Sequence, residues 1–349
     1  MKISIETFTV HKRFALTISR GTTAESTNIW VKIEHGGIEG WGEASPFSTG
    51  KMPQTTDTIL QALRQVAPSL KKYSPSQHSA ILTLLTKEII PSAVIAAIDI
   101  ALHDWVGKKA GLPLWQMFGL ERDRIVPISV TIGINTPEGA RQRVRDWLSV
   151  IDAKAFKVKL GSPQGMESDR AMLAAVKEEI PADAIVYVDA NGGWNLEDAV
   201  EMSQWLASMG VEYIEQPLAA DRGLAEFYTL RERSPLPIFL DESCFTSSDV
   251  VRLSEGAADG INIKLMKSGG LTEALQMIDV AQEFGLAVML GCYSDSCLAN
   301  TAAAQLAPLA DYLDLDSHLN LIDDPFVGAK VKDGRLLPND LPGLGVELK

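Results

Sequence analysis

"AIVYVDANG" (184–192), "VEYIEQP" (211–217) and "LPIFLDES" (236–243) are three short β-rich runs, each of which ends on a carboxylate. The carboxylates are Asp189, Glu215 and Asp241, and each follows the one before by 26 residues. One strand, one crossover helix and their loops occupy about that length, so the three acids recur at one level of a repeating βα scaffold. Five further runs extend the series: "IVPISVTIG" (125–133), "AFKVKLG" (155–161), "GINIKLMKSGG" (260–270), "LAVMLGCYSD" (286–295) and "DYLDLDS" (311–317). Amphipathic stretches separate them. Met202, Trp205, Leu206 and Met209 keep helical spacing before Gly210, as do Leu271, Ala274, Leu275 and Ile278 before Gly285.

Eight such units predict an α/β fold, a (β/α)8-type barrel of parallel strands. A doubly wound open sheet is the rival reading, because alternation by itself does not show closure; the count of eight and the length favour the barrel. The first 120 residues have a different texture. "NIWVKIEHGGIEGWGEA" reads as two strands joined at Gly36-Gly37, and helical patterns follow over 54–70, 76–87 and 91–109. We therefore expect an α+β capping domain over 1–120, the barrel over 121–325, and a C-terminal segment, 326–349, that returns to the cap.

The 349 residues are 46% hydrophobic, enough for one large core and a smaller one, and carry a formal charge of −13. That charge argues against a nucleic-acid or anionic-membrane partner. "MKISIETFTV" alternates like a strand rather than a signal peptide, and the most apolar stretch, "AVIAAIDIAL", is broken by Asp99 and too short to span a bilayer. Cys244, Cys292 and Cys297 are odd in number and lack metal-site spacing, so no disulfide framework is expected. These features predict a soluble, cytoplasmic protein, and we expect a homo-oligomer.

In a barrel, the strand ends form the mouth where active sites are built. Asp189, Glu215 and Asp241 would offer it three oxygen ligands with no His or Cys among them, which suits a hard cation such as Mg²⁺. Glu242 should point away if its strand continues. Lys157 and Lys159 are two apart and share the inward face of the second strand. Lys159 and Lys264 end strands four apart in a ring of eight, so they should face each other across the mouth. Two amines so placed would move a proton between the faces of one carbon, with Lys157 and the cation lowering the pKa of Lys159. The chemistry allowed is abstraction of a proton alpha to a carboxylate.

"GWGEASP", "FKVKLG", "VDANGGW", "IEQPL", "LDES" and "NIKLMKSGG" resemble the motif series of the enolase superfamily, in its muconate-lactonizing branch. The resemblance covers nearly the whole chain. It implies Mg²⁺ on Asp189, Glu215 and Asp241, Lys159 and Lys264 as the acid–base pair, and Asn191 behind them. The Asp-x-Asp of Asp314 and Asp316 resembles the mark of the dipeptide epimerases, where two carboxylates hold the substrate's ammonium. Position agrees, since the eighth strand lies opposite the fourth, which ends on Glu215. A dipeptide, two residues at about 3.5 Å each, matches that span. The implied reaction is epimerisation of the C-terminal residue of an Ala-Xaa dipeptide by two-base proton transfer through an enediolate. Thr131 and Lys157 would contact the substrate.

The alternatives within the branch are a succinylbenzoate synthase, an N-acylamino acid racemase and a muconate-type cycloisomerase. "ISRGTTAES" (18–26) resembles a mobile loop over the site, where Arg20 would either pair with a substrate glutamate or stand solvated. Ser19 occupies the position at which some relatives carry arginine, which leaves small hydrophobic dipeptides open as substrates. Cys292 and Asp295 are expected to line the pocket.

Overall fold

The structure is a computed structural model that describes residues 1–49, 53–87 and 90–349. Its first two strands, β1 (Lys2–Ile18) and β2 (Gly21–His35), form a long antiparallel ribbon, and β3 (Ile38–Ala44) pairs with β2. Gly36 and Gly37 both have positive φ, 59° and 78°, as the tight turn between β2 and β3 requires. Three helices cover this sheet: α1 (Thr56–Leu70), α2 (His78–Thr86) and α3 (Ser92–Ala110). Helix α3 is buried on most of its circumference and ends on Gly111 in the left-handed region. Its backbone packs so closely on β3 that a Cβ at Gly40 or Gly42 would strike it.

After the short α4 (Leu114–Met117), strands and helices alternate. The strands are β4 (Ser129–Ile132), β5 (Ala155–Lys159), β6 (Ile185–Asp189), β7 (Ile214–Glu215), β8 (Ile238–Leu240), β9 (Gly260–Lys264), β10 (Ala287–Gly291) and β11 (Tyr312–Asp314). The intervening helices are α5 (Pro137–Val150), α6 (Met166–Glu179), α7 (Leu196–Ser208), α8 (Leu224–Arg233), α9 (Ser247–Ser254), α10 (Leu265–Ser268), α11 (Leu271–Glu283) and α12 (Cys297–Ala304). All neighbours in the order β4 to β11 are parallel, and an Ile128–Leu313 bridge joins the two ends of the sheet. The open-sheet rival is thereby set aside: this is an eight-stranded parallel barrel with an α+β layer beside it.

Residues alternate along each strand as the pleat demands. Phe156 and Val158 point into the helical jacket, while Ala155, Lys157 and Lys159 point inward. The lowest inward layer is aromatic. Tyr187 stacks on Tyr213 at 4.6 Å, Tyr213 stacks on Phe239 at 4.2 Å, and Tyr312 meets all three edge-on. The tail ends in β12 (Phe326–Val327), β13 (Lys330–Lys332), β14 (Arg335–Leu337) and β15 (Glu347–Leu348), in two small antiparallel pairs. It packs on the N-terminal layer: Phe326 contacts Phe8 and Trp41, and Asp104 of α3 accepts from Leu344 N. No helix among the described residues is long and apolar enough to cross a membrane.

Candidate active site

Two residues beyond the aromatic layer, the same strands carry charge. Asp189 and Glu215 are paired neighbours at the ends of β6 and β7, and Asp241 follows β8 directly. All three are fully buried. Asn191 N and Nδ2 hold Asp189 at 2.7 and 3.0 Å, Asn262 Nδ2 holds Glu215 at 2.8 Å, and Gln216 Oε1 receives Asp241 N at 2.9 Å. Asn191 and Gln216 both have positive φ, 44° and 36°, an uncommon conformation for residues with side chains that clusters at functional sites.

The lysines are already engaged with these acids. Lys159 Nζ lies 2.6 Å from Asp189 Oδ2, and Lys264 Nζ lies 2.6 Å from Asp241 Oδ2. Lys267, fully enclosed, bonds Asp241 Oδ1 and three backbone carbonyls. Lys157 sits one layer deeper, 2.6 Å from Glu215 and 2.7 Å from Asp314. It therefore does not act as a free ammonium pressing on Lys159. Burial would lower its pKa, but Asp314, Glu215 and Asp189 outweigh burial and hold it well above the ordinary lysine value. Lys264 is likewise raised, against burial, chiefly by Asp241.

Crowding divides the acids. Burial and the neighbouring Asp189 push Glu215 up to about 7. Asp189 falls below the usual range: burial opposes this, and Lys159 and Lys157 overcome it. The donor set of Asp189, Glu215 and Asp241 is all oxygen and buried, carried on the ends of three successive strands. Asn191 Oδ1 and Glu242 Oε2 are buried nearby without a hydrogen-bond partner. Such a set fits a hard divalent cation and offers nothing to a soft one.

Asp314 and Asp316 reach one small cavity of about 50 Å³, shared with Thr131, Lys159, Cys292 and Tyr293. They arrive differently than strand alternation predicts. β11 ends at Asp314, and Asp316 has helical φ/ψ, so the two do not leave one strand face. Asp314 takes its cation from Lys157, whereas Asp316 is held by Thr131 N at 2.7 Å. Burial and Asp314 raise Asp316 to about 7.

Residues 18–26 lie at the tip of the β1–β2 hairpin, with Ile18 paired opposite Gly21. Arg20 is exposed at the hairpin tip and is already paired. It bonds Glu242 Oε1 and Asn191 O, both at 2.8 Å, across a mouth of about 640 Å³. Glu242 points to the mouth because β8 ends at Leu240 and the alternation stops there. Cys292 lines the small cavity. Asp295 does not; it bonds Ser45 of the N-terminal layer. Sequence reasoning missed three residues. Gln216 and Lys267 stood inside quoted motifs but carried no positional pattern. Tyr293, whose ring lies 4.5 Å from Lys264 Nζ, likewise stood inside the quoted run 286–295.

Two family models match the chain. The mandelate racemase / muconate lactonizing enzyme N-terminal domain covers residues 4–119, and the enolase C-terminal domain-like model covers 139–349. Among curated proteins, a hydrophobic dipeptide epimerase of Roseobacter litoralis is 44% identical, over 99% of this chain and 98% of its own. Another from a Flavobacteria bacterium is 41% identical over 100% and 99%. The dipeptide epimerase of Enterococcus faecalis, solved with Mg and the dipeptide L-Leu-L-Tyr, superposes with a TM-score of 0.92 at 31% identity, covering 99% of this chain and 98% of that one.

Proposed function

This chain belongs to the mandelate racemase / muconate lactonizing enzyme family, and on that premise we propose that it is a Mg²⁺-dependent dipeptide epimerase. Its substrate is an Ala-Xaa dipeptide with a hydrophobic C-terminal residue, inverted at the alpha carbon. One observation carries this reading: Asp314 and Asp316 share a cavity with Lys159, beside Tyr293 and Lys264. A doubly acidic wall next to a base suits a substrate with a free ammonium. Acylated amino acids and dicarboxylate substrates would gain nothing from it.

Asp189, Glu215 and Asp241 would hold the ion. When bound, Mg²⁺ supplies Lewis-acid stabilisation to the charge that builds on the substrate carboxylate. The remaining work falls to the chain's own side chains. Lys159 and Lys264 project from β5 and β9, four strands apart, and so address opposite faces of the alpha carbon. One takes the proton as a neutral amine, and the other, as an ammonium, returns one to the opposite face. Asp314 and Asp316 accept the substrate's ammonium, Thr131 holds Asp316 in place, and Lys157 holds Asp314. The bonds of Arg20 to Glu242 and Asn191 fasten the hairpin tip over the mouth, which limits water. A hydrophobic Xaa is preferred over glutamate because Arg20 is already occupied by Glu242.

The test is incubation of L,L-dipeptides with enzyme and Mg²⁺ in D₂O, read by mass and chiral chromatography. Deuterium should enter only the C-terminal alpha position, with inversion. N-acetylated dipeptides should react poorly. Exchange of acylated amino acids instead, with free dipeptides inert, would favour the N-acylamino acid racemase reading.

We also propose a cytoplasmic homo-oligomer. Three free cysteines agree with a reducing compartment. Ile322, Val327, Leu341 and Leu348 expose apolar surface near the C-terminus, as an interface between copies would need. Cell fractionation and light scattering test the two parts.

A further inference from the structure

A second cluster of ligating side chains lies outside the barrel mouth, where α2 and α3 meet α11. His78 opens α2, Asp99 and His103 stand one turn apart on α3, and Thr272 is in the first turn of α11. His78 and Thr272 also line a cleft of about 1260 Å³, which gives the cluster an entrance.

Asp99 is fully buried, and among the described residues its ion-pair partners are both histidines. Its two oxygens have separate duties. Oδ2 accepts Thr272 N at 3.1 Å, and Gly270 leaves room for it, since a Cβ there would collide with the carboxylate. Oδ1 faces the cluster, 2.8 Å from His78 Nε2, 2.6 Å from Thr272 Oγ1 and 3.7 Å from His103 Nε2. A carboxylate only accepts, so the Thr272 hydroxyl gives it its one proton. His103 Nε2, 3.1 Å from Thr272 Oγ1, must then donate to that hydroxyl. The second histidine is thus unnecessary for satisfying Asp99, and at 3.7 Å it stands beyond hydrogen-bond distance of it.

Two imidazole nitrogens and one carboxylate oxygen, each from a different side chain, converge within 4.8 Å of one another. Bonds of 2.0–2.1 Å to Zn²⁺ set tetrahedral ligand spacings of about 3.3 Å. The observed 2.8 and 3.7 Å bracket that value. A backbone-anchored carboxylate whose other oxygen faces two imidazoles has the orientation that metal ligands receive from their surroundings.

We propose that His78, Asp99 and His103 form a divalent transition-metal site of the Zn²⁺ class, with the Thr272 hydroxyl or water as fourth ligand. Imidazole donors separate it from the all-oxygen set at the mouth. The ion takes the places of the protons on His78 Nε2 and His103 Nε2; each ring stays neutral by carrying its one proton on Nδ1 instead, so no net proton is released from the imidazoles. One ion then ties α2 and α3 to α11, joining the N-terminal layer to the barrel wall.

The test uses the full chain, stripped by chelator and kept in saturating Mg²⁺. Titration with Zn²⁺ should show one site per chain and a raised Tm, and Co²⁺ should give the intense visible bands of a tetrahedral site. His78→Gln and His103→Gln should each weaken Zn²⁺ binding by about 100-fold or more. Circular dichroism and Mg²⁺-dependent exchange should stay as in the parent. Absence of Zn²⁺ uptake in saturating Mg²⁺ would overturn the proposal, as would parental affinity in the double variant.

Discussion

The floor and the mouth of the barrel are made by the same strands, two residues apart, and obey opposite physics. Tyr187, Tyr213, Phe239 and Tyr312 form the floor; Asp189, Glu215, Asp241 and Asp314 stand directly above them. Four strands repeat one pattern, an aromatic, an outward aliphatic and an acid: "YVD", "YIE", "FLD" and "YLD". The floor gains stability by packing rings and asks nothing of its polar tips beyond contacts such as Tyr213 Oη to Met289 Sδ. The mouth confines like charges that repel, and remains folded because four lysines are threaded among them. Stability is concentrated in one layer and reactivity in the next.

That separation can be broken in graded steps. Lys264→Ala should cut epimerisation by about 10²–10⁴-fold, with Lys159→Ala similar. Unfolding free energy should barely change in Lys264→Ala, because Lys267 still neutralises Asp241. Chiral assay and urea denaturation together check it; a collapse of stability would merge the two layers.

Tyr213→Ala should do the reverse. Removing the central ring of the stack should cost about 3–5 kcal/mol of unfolding free energy. The pH profile of the residual activity should keep its shape.

Glu43 sharpens the contrast, because it is buried like the mouth acids but has hydroxyl and amide donors in place of lysines. Ser296 Oγ and N, Asn28 Nδ2 and Ala299 N bond it. Burial, reinforced by Asp295, raises its pKa from 4.5 to about 7. Between those values the unfolded chain has lost a proton that the fold retains, so stability is fully present below pH 4.5 and falls as pH rises to 7. The loss accumulates to roughly 3 kcal/mol. Glu43→Gln should flatten this dependence in urea melts from pH 5 to 7, whereas a slope unchanged by the substitution would place the titration elsewhere.

The smallest effect is expected at the cavity wall. Asp314→Asn should raise KM for free dipeptides, lowering kcat/KM about 10- to 100-fold, and spare acylated substrates. Equal losses on both would remove the ammonium clamp from the proposal.

Much of this was legible in sequence. Strand periodicity, the 26-residue spacing and acids at strand ends identified the barrel and gathered Asp189, Glu215, Asp241, Lys159 and Lys264 at one level. The aromatic-x-acid repeat was equally visible and would have revealed the floor. The pairing of Arg20 with Glu242 was not legible for a local reason: hairpin pairing and the end of β8 are backbone events that side-chain patterns do not report. The His78–Asp99–His103 cluster joins two helices to a third from the far side of the chain, so no spacing could assemble it.

Sequence alone determined which residue types stand at which height of the scaffold, because a period of two and a fixed βα length leave little freedom. Tertiary structure decided who neutralises whom. Asp314 found Lys157 rather than a free partner, Asp316 was left with a backbone amide, and Arg20 closed on Glu242. Those pairings depend on distances of a few ångströms across a ring, where 332/(εr) changes steeply in a low-dielectric interior, and chain order carries no record of them.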